Sequence, residues 1–168
     1  LSGGIYSGKK ELSKDKKSAY DVCSYTVDEI SRISHLAFKD AQDRKRKVTL
    51  VDKANVLETS LLWRKTVAVI SKQYKDVELE FMFVDNAAMQ IVLNPKQFDV
   101  ILAENLFGDI ISDVACVAGG SIGILASSSI GEKNALFEPI HGSFSQAKGK
   151  DIANPLASIL AAAMMLEH

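Results

Sequence analysis

Residues 48–103 switch repeatedly between two hydrophobic periods, and this alternation constrains the fold more than any other property of the chain. Short runs at 48–51, 78–84 and 98–103 have the length and the β-branched and aromatic content of strands. Between them, residues 58–74 repeat apolar side chains at helical spacing through Leu61, Leu62, Val67, Val69 and Ile70, and residues 85–93 form a shorter helical segment that stops before Pro95. Strands alternating with helices predict an α/β fold with a largely parallel, three-layer sheet. Ligands of such sheets sit beyond the carboxyl ends of the strands, so function is to be sought there.

The pattern extends in both directions. Residues 18–26 alternate as a strand behind a solvated, lysine-rich arm, and residues 27–44 form an amphipathic helix through Ile30, Ile33, Leu36, Phe38 and Ala41. Asp28 and Glu29 suit its start, and Arg44 to Lys47 its end. A helix over 106–118 ends at Gly119-Gly120. Beyond it the chain turns to small residues and turns until Pro155 opens a final helix of Ala, Leu and Met. A boundary near Gly119-Gly120 therefore separates a lobe at 1–119 from one at 120–168.

Charge narrows the partners. Lys plus Arg is 20 against Asp plus Glu 21 in 168 residues, so no net field favours nucleic acid or an anionic membrane. No apolar run approaches the ~20 residues of a membrane span. Cys23 and Cys116 form no CxxC pair, which suits a reducing compartment and makes the cytoplasm the expected location.

Three strand ends carry polar residues: Lys53, Asp85 and Glu104-Asn105. Asp109 and Asp113 stand four apart on a helix that is otherwise almost wholly apolar, so like charges repel unless a cation joins them. Carboxylate oxygens are what Mg²⁺ or Mn²⁺ prefers. An exposed stripe of Asp109, Ser112, Asp113 and Cys116 explains the same spacing, and spacing alone leaves both readings open. Gly3-Gly4-Ile5-Tyr6-Ser7-Gly8-Lys9 satisfies GxxxxGK, yet Lys10 stands where a phosphate loop needs Ser or Thr, and a charged segment follows instead of a helix. His141 lies in a turn rich in backbone N–H groups, upstream of a helix start at Asn154-Pro155 that could attract phosphate.

The segment Asn105-Leu106-Phe107-Gly108-Asp109-Ile110-Ile111-Ser112-Asp113, continued by Gly119-Gly120-Ser121-Ile122-Gly123, resembles the signature of the isocitrate and isopropylmalate dehydrogenase family. Val51-Asp52-Lys53-Ala54-Asn55-Val56-Leu57-Glu58, Val84-Asp85 and Phe137-Glu138-Pro139-Ile140-His141-Gly142-Ser143 follow in family order. The resemblance covers essentially the whole chain. Lys53 to Glu58 with Leu62-Trp63-Arg64-Lys65 looks like the isopropylmalate branch.

The resemblance implies NAD-linked oxidation of the 2-hydroxyl of 3-isopropylmalate, then loss of its β-carboxylate, a step in leucine biosynthesis. It implies a homodimer with shared sites. Asp109 and Asp113 of one subunit and Asp85 of the other would hold Mg²⁺ or Mn²⁺; Lys53 would take the hydroxyl proton and Tyr6 would return one to carbon. Asn55 and Val56 would meet the substrate, and His141, Gly142, Ser143, Gln146, Ala153 and Asn154 the NAD. The first lobe would be the dimerisation, metal and substrate domain, the second part of the NAD-binding domain.

Two departures stand out. Gln146 occupies a place where the family usually carries Asp, and Phe144-Ser145 replaces a usual Ala-Pro, which weakens the expected exclusion of NADP. The family's opening strands, with the arginines that clamp the malate carboxylates, and its closing helices are expected outside these residues. The alternatives are a dimerisation and metal-binding piece without turnover, or a related substrate such as isocitrate or tartrate.

Overall fold

The computed structural model describes residues 3–131 and 133–168, without the side chain of Ala118. Contacts divide the chain into two compact units, Leu1–Val114 and Ala115–His168. The division falls inside a helix, a few residues before the Gly119-Gly120 boundary expected from composition.

The first unit is built on a parallel sheet of three strands, β3 (Lys47–Asp52), β4 (Glu78–Phe83) and β5 (Val100–Ala103), in the order β4-β3-β5. Helix α3 (Glu58–Ser71) joins β3 to β4, and α4 (Val84–Leu93) lies on the return from β4 past β3 to β5. These connections run in opposite directions across the sheet, so right-handed crossovers put α3 and α4 on opposite faces. Side chains follow that geometry.

Val48 and Leu50 of β3, with Leu102 of β5, pack against Ile30, Ala37, Phe38 and Ala41 of α2 (Val27–Gln42) and Trp63, Val67 and Ile70 of α3. Thr49, Val51 and Met82 alternate onto the other face and are buried outside that cluster, as are Ala87 and Ile91 of α4 and Ile111 of α5 (Asn105–Gly119). Fully burying a side chain such as Phe38 or Ile30 stabilises the fold by roughly 1.5–3 kcal/mol. Helix α2 starts at a capping box, in which Thr26 and Glu29 satisfy each other's backbone N–H groups.

Three expectations need correction. The arm before residue 18 is not a plain loop: after the four-residue helix α1 (Gly4–Ser7), β1 (Lys10–Leu12) pairs antiparallel with β2 (Ala19–Asp21). All six strand residues are exposed, so hydrophobic alternation could not mark β1 and overextended β2 to 18–26.

In the second unit, residues read as small and turn-forming contain an antiparallel pair, β6 (Ala126–Ile130) and β7 (Ala135–Pro139). The run Ser127-Ser128-Ser129 is extended because it has a ladder partner, which serine composition does not announce. Helix α6 (Leu156–Glu167) packs on both strands and buries Ala157 and Ala161. Among the described residues, no helix is long and apolar enough to cross a membrane.

Candidate active site

The expected catalytic residues of the first unit form two pairs. Tyr6 lies on α1, and its hydroxyl donates to Asp109 Oδ2 on α5 at 3.1 Å. Lys53 follows β3, and its ammonium donates to Asp85 Oδ1 in the first turn of α4 at 2.6 Å. Each pair joins an acid–base side chain to a carboxylate. Asp113 is exposed one turn beyond Asp109 on the same helix.

The electrostatics follow from the pairing. Accepting the Tyr6 hydrogen bond lets Asp109 raise the tyrosine pKa, with smaller contributions from desolvation and from the Asp109 and Glu104 charges, so the phenol keeps its proton at neutral pH. The Lys53 hydrogen bond is the main cause that holds the Asp85 carboxyl below its usual range.

Tyr6 is carried on a braced segment. Gly3 and Gly4 have φ of 73° and 74°, in the left-handed region open to glycine. A Cβ on Gly3 would sit 2.7 Å from the Tyr25 ring, and one on Gly4 would run into the Tyr25 hydroxyl. These glycines therefore allow the backbone to pack closely on Tyr25. Tyr25 in turn sets its ring edge-on to Trp63, centroids 5.3 Å apart. Its hydroxyl donates to Glu104 Oε2 at 2.8 Å and accepts from the Asn105 N–H at 3.1 Å. Glu104 Oε1 accepts from the Phe107 N–H at 3.1 Å and so caps α5.

Lys53 is held by its backbone. Asp52, at the end of β3, is buried and accepts from the Ala54 N–H at 2.9 Å, while the Lys53 N–H donates to Ser60 Oγ at 3.1 Å. Arg64 grips the Asp52 carboxylate twice, Nε to Oδ2 at 2.6 Å and Nη2 to Oδ1 at 3.0 Å. Sequence patterns do not mark Tyr25, Asp52, Ser60 or Arg64 as functional. Asp52 and Arg64 stand inside the family motifs, but their pairing spans a whole β-to-α connection and left no local signal.

Asn55 and Val56 lie exposed in the loop after Lys53, Val56 at 69%. The donor set around Asp109 and Asp113 consists of exposed carboxylate oxygens, which fits a hard cation such as Mg²⁺ or Mn²⁺. Cys116 is buried and Ser112 half-buried, so those four residues do not form one exposed stripe. Among the described residues no cluster of three or more His, Cys, Asp or Glu could hold a metal, so Asp85 does not join Asp109 and Asp113 within one chain.

The expected NAD residues all fall in the second unit. His141 follows β7, and its Nδ1–H donates to the Gly142 carbonyl at 3.1 Å. Gly142 and Ser143 are exposed, Gln146 sits exposed in a 3-10 turn at Ser145–Ala147, and Ala153 and Asn154 precede α6. Asn154 Oδ1 accepts from the Leu156 N–H at 3.0 Å. A Cβ on Gly142 would meet nothing within 4 Å, leaving that backbone open to a ligand.

Lys53 and Asp85 stand just past the carboxyl ends of β3 and β4, where parallel α/β sheets bind their ligands. Residues 1–168 match the isocitrate/isopropylmalate dehydrogenase family throughout, and the chain belongs to that family. It is 56% identical over 168 residues to the 3-isopropylmalate dehydrogenase of Wolinella succinogenes, covering 100% of this chain and 47% of that protein. It is likewise 56% identical over 171 residues to that of Clostridium pasteurianum, covering 100% and 48%. Among solved structures, an isocitrate dehydrogenase from Methylococcus capsulatus superposes with a TM-score of 0.92 at 43% identity, over 99% of this chain and 50% of that one. A β-decarboxylating dehydrogenase from Thermococcus kodakarensis gives 0.88 at 41%, over 99% and 49%. The chain spans about half the length of the curated relatives it matches.

Proposed function

We propose that the complete protein oxidises and decarboxylates 3-isopropylmalate to 4-methyl-2-oxopentanoate with reduction of NAD, in leucine biosynthesis, as a cytoplasmic homodimer with shared active sites. The observation that carries this reading is the split of the site into two half-sites, Tyr6 with Asp109 and Lys53 with Asp85. A two-fold partner would bring one subunit's Lys53 and Asp85 to the other's Tyr6, Asp109 and Asp113. Exposed apolar side chains on the elements concerned, Met89, Val92 and Leu93 of α4 and Ile110 of α5, support burial against such a partner. The 3-isopropylmalate dehydrogenases at 56% identity support the substrate.

Asp109 and Asp113, with Asp85 of a second copy, would hold Mg²⁺ or Mn²⁺, which supplies Lewis acidity toward the substrate's hydroxyl and carbonyl oxygen. Lys53 Nζ, as the free amine, takes the hydroxyl proton, and bound NAD would supply the hydride acceptor for C2. Loss of CO₂ from the resulting 2-oxo acid leaves an electron pair at C3, and Tyr6 Oη delivers the proton that quenches it. Val56 offers an apolar surface to the isopropyl group, where isocitrate would present a carboxylate needing a cation. His141, Gly142, Ser143, Gln146, Ala153 and Asn154 would hold the adenosine half of NAD.

The test is turnover by the complete gene product with Mn²⁺, NAD and 3-isopropylmalate, followed by NADH absorbance, beside isocitrate and tartrate. A higher kcat/KM for either competitor overturns the substrate. The same assay on the 168-residue chain alone separates an active half from a dimerisation and metal-binding unit; no turnover is expected.

A further inference from the structure

The contacts of Arg64 converge on the two strand ends that carry Lys53 and Asp85. Asp52 ends β3 and Phe83 ends β4, and the two are direct partners in the parallel ladder. Lys53 follows the first, and Asp85 comes two residues after the second. The guanidinium clamps the Asp52 carboxylate at 2.6 and 3.0 Å and lies 5.0 Å from the Phe83 ring centroid and 5.1 Å from that of Phe81. The Lys53 ammonium stands 5.9 Å from the Phe83 centroid. One side chain from α3 therefore grips both strand ends at the level where the Lys53–Asp85 pair forms.

The grip reaches Lys53 through the backbone. Asp52 Oδ1 accepts from both Arg64 Nη2 and the Ala54 N–H, so the immobilised carboxylate closes a turn with Lys53 at its centre. Ser60, one helical turn before Arg64, takes the Lys53 N–H. The Asp52 side chain is 3% exposed and the Arg64 side chain 29%, which shields the fork from solvent without hiding the cation completely. A planar guanidinium can hold both carboxylate oxygens and lie against rings at once; an ammonium cannot.

We propose that Arg64, clamped on Asp52, is a positioning residue that sets the Lys53 ammonium against Asp85. The proposal rests on the reading of Lys53 as the base. Arg64→Lys in the complete protein keeps the charge and loses the fork; kcat with Mn²⁺, NAD and 3-isopropylmalate falls by roughly tenfold or more, because small misplacements of reacting groups are costly. KM for NAD stays within about twofold, and circular dichroism shows a folded protein.

The discriminating arm repeats Arg64→Lys in a Lys53→Ala background. With the positioned group gone, the residual rate changes by less than about twofold, whereas a general weakening of the fold would cost the same factor in both backgrounds. Arg64→Ala strands a buried carboxylate, so the neutral Asp52→Asn/Arg64→Gln pair is run as a second probe of the same non-additivity. Wild-type kcat in either folded variant, or equal fractional losses in both backgrounds, overturns the proposal. Full activity of Lys53→Ala alone overturns the assignment of Lys53 as base, and the positioning role with it.

Discussion

The Tyr25 hydroxyl donates a 2.8 Å hydrogen bond to Glu104 Oε2 while its ring underlies Gly3 and Gly4. One side chain thus braces the segment bearing Tyr6 and the N-terminus of the helix bearing Asp109. Glu104 is 8% exposed, so it depends on such donors. Tyr25→Phe should destabilise the protein by about 1–3 kcal/mol at pH 7, the cost of leaving a buried acceptor short of a partner. Burial is the main cause that pushes the Tyr25 hydroxyl pKa above its ordinary value of about 10, with the Asn105 N–H partly offsetting it. A raised folded pKa gives stability that is fully present below about pH 10 and is lost as pH rises toward the folded value. Urea titrations at pH 7 and above pH 10 should therefore show the gap between wild type and Tyr25→Phe narrowing with alkalinity; a constant gap would count against the Tyr25 contribution.

Asp109→Asn and Asp113→Asn should each abolish Mn²⁺-dependent turnover in the complete protein and leave the thermal transition within a few degrees of wild type. Were the two carboxylates only surface residues, removing their repulsion would leave turnover intact and raise stability by about 0.2–0.5 kcal/mol. A melt beside an assay separates these outcomes.

Lys53 and Asp109 are proposed to serve one site from different subunits. Lys53→Ala and Asp109→Asn proteins, each reduced to a residual rate at most, mixed and allowed to exchange subunits, should form heterodimers with one doubly damaged and one intact site. Random pairing makes half the molecules heterodimers, so activity should recover to about one quarter of wild type. If mass spectrometry shows exchange and the mixture gains no activity, the shared site is wrong.

Gln146 lies exposed in its 3-10 turn, in the segment proposed to face the adenine ribose. Gln146→Asp restores a carboxylate that accepts from ribose hydroxyls and repels a 2′-phosphate. The NAD over NADP ratio of kcat/KM should rise roughly tenfold or more, the worth of one charge-assisted hydrogen bond. An unchanged ratio would remove Gln146 from the cofactor site.

Periodicity in the chain was enough to specify the α/β alternation, because the spacing of apolar residues reports which face of an element is buried. The parallel sheet followed from that alternation, and helices α2 to α5 differ from expectation only at their ends. Asp109 and Asp113 were legible for the same reason, since a spacing of four on a helix fixes a shared face without knowledge of the rest of the molecule. Family resemblance then assigned roles to Tyr6, Lys53 and Asp85 that no local pattern could.

Tertiary structure decided what touches what. Tyr6 and Asp109 are 103 positions apart, and nothing in either neighbourhood encodes their hydrogen bond. The exposed strands β1 and β2 lack a buried face for alternation to mark, and β6 takes its extended form from β7 and not from its serines. Arg64 reads in sequence as one more charge on an amphipathic helix; only the closure of α3 over β3 and β4 brings its guanidinium to Asp52 and Phe83. Burial preferences repeat along a chain and can be read from it, whereas a bidentate contact depends on the final packing of elements that are distant in sequence.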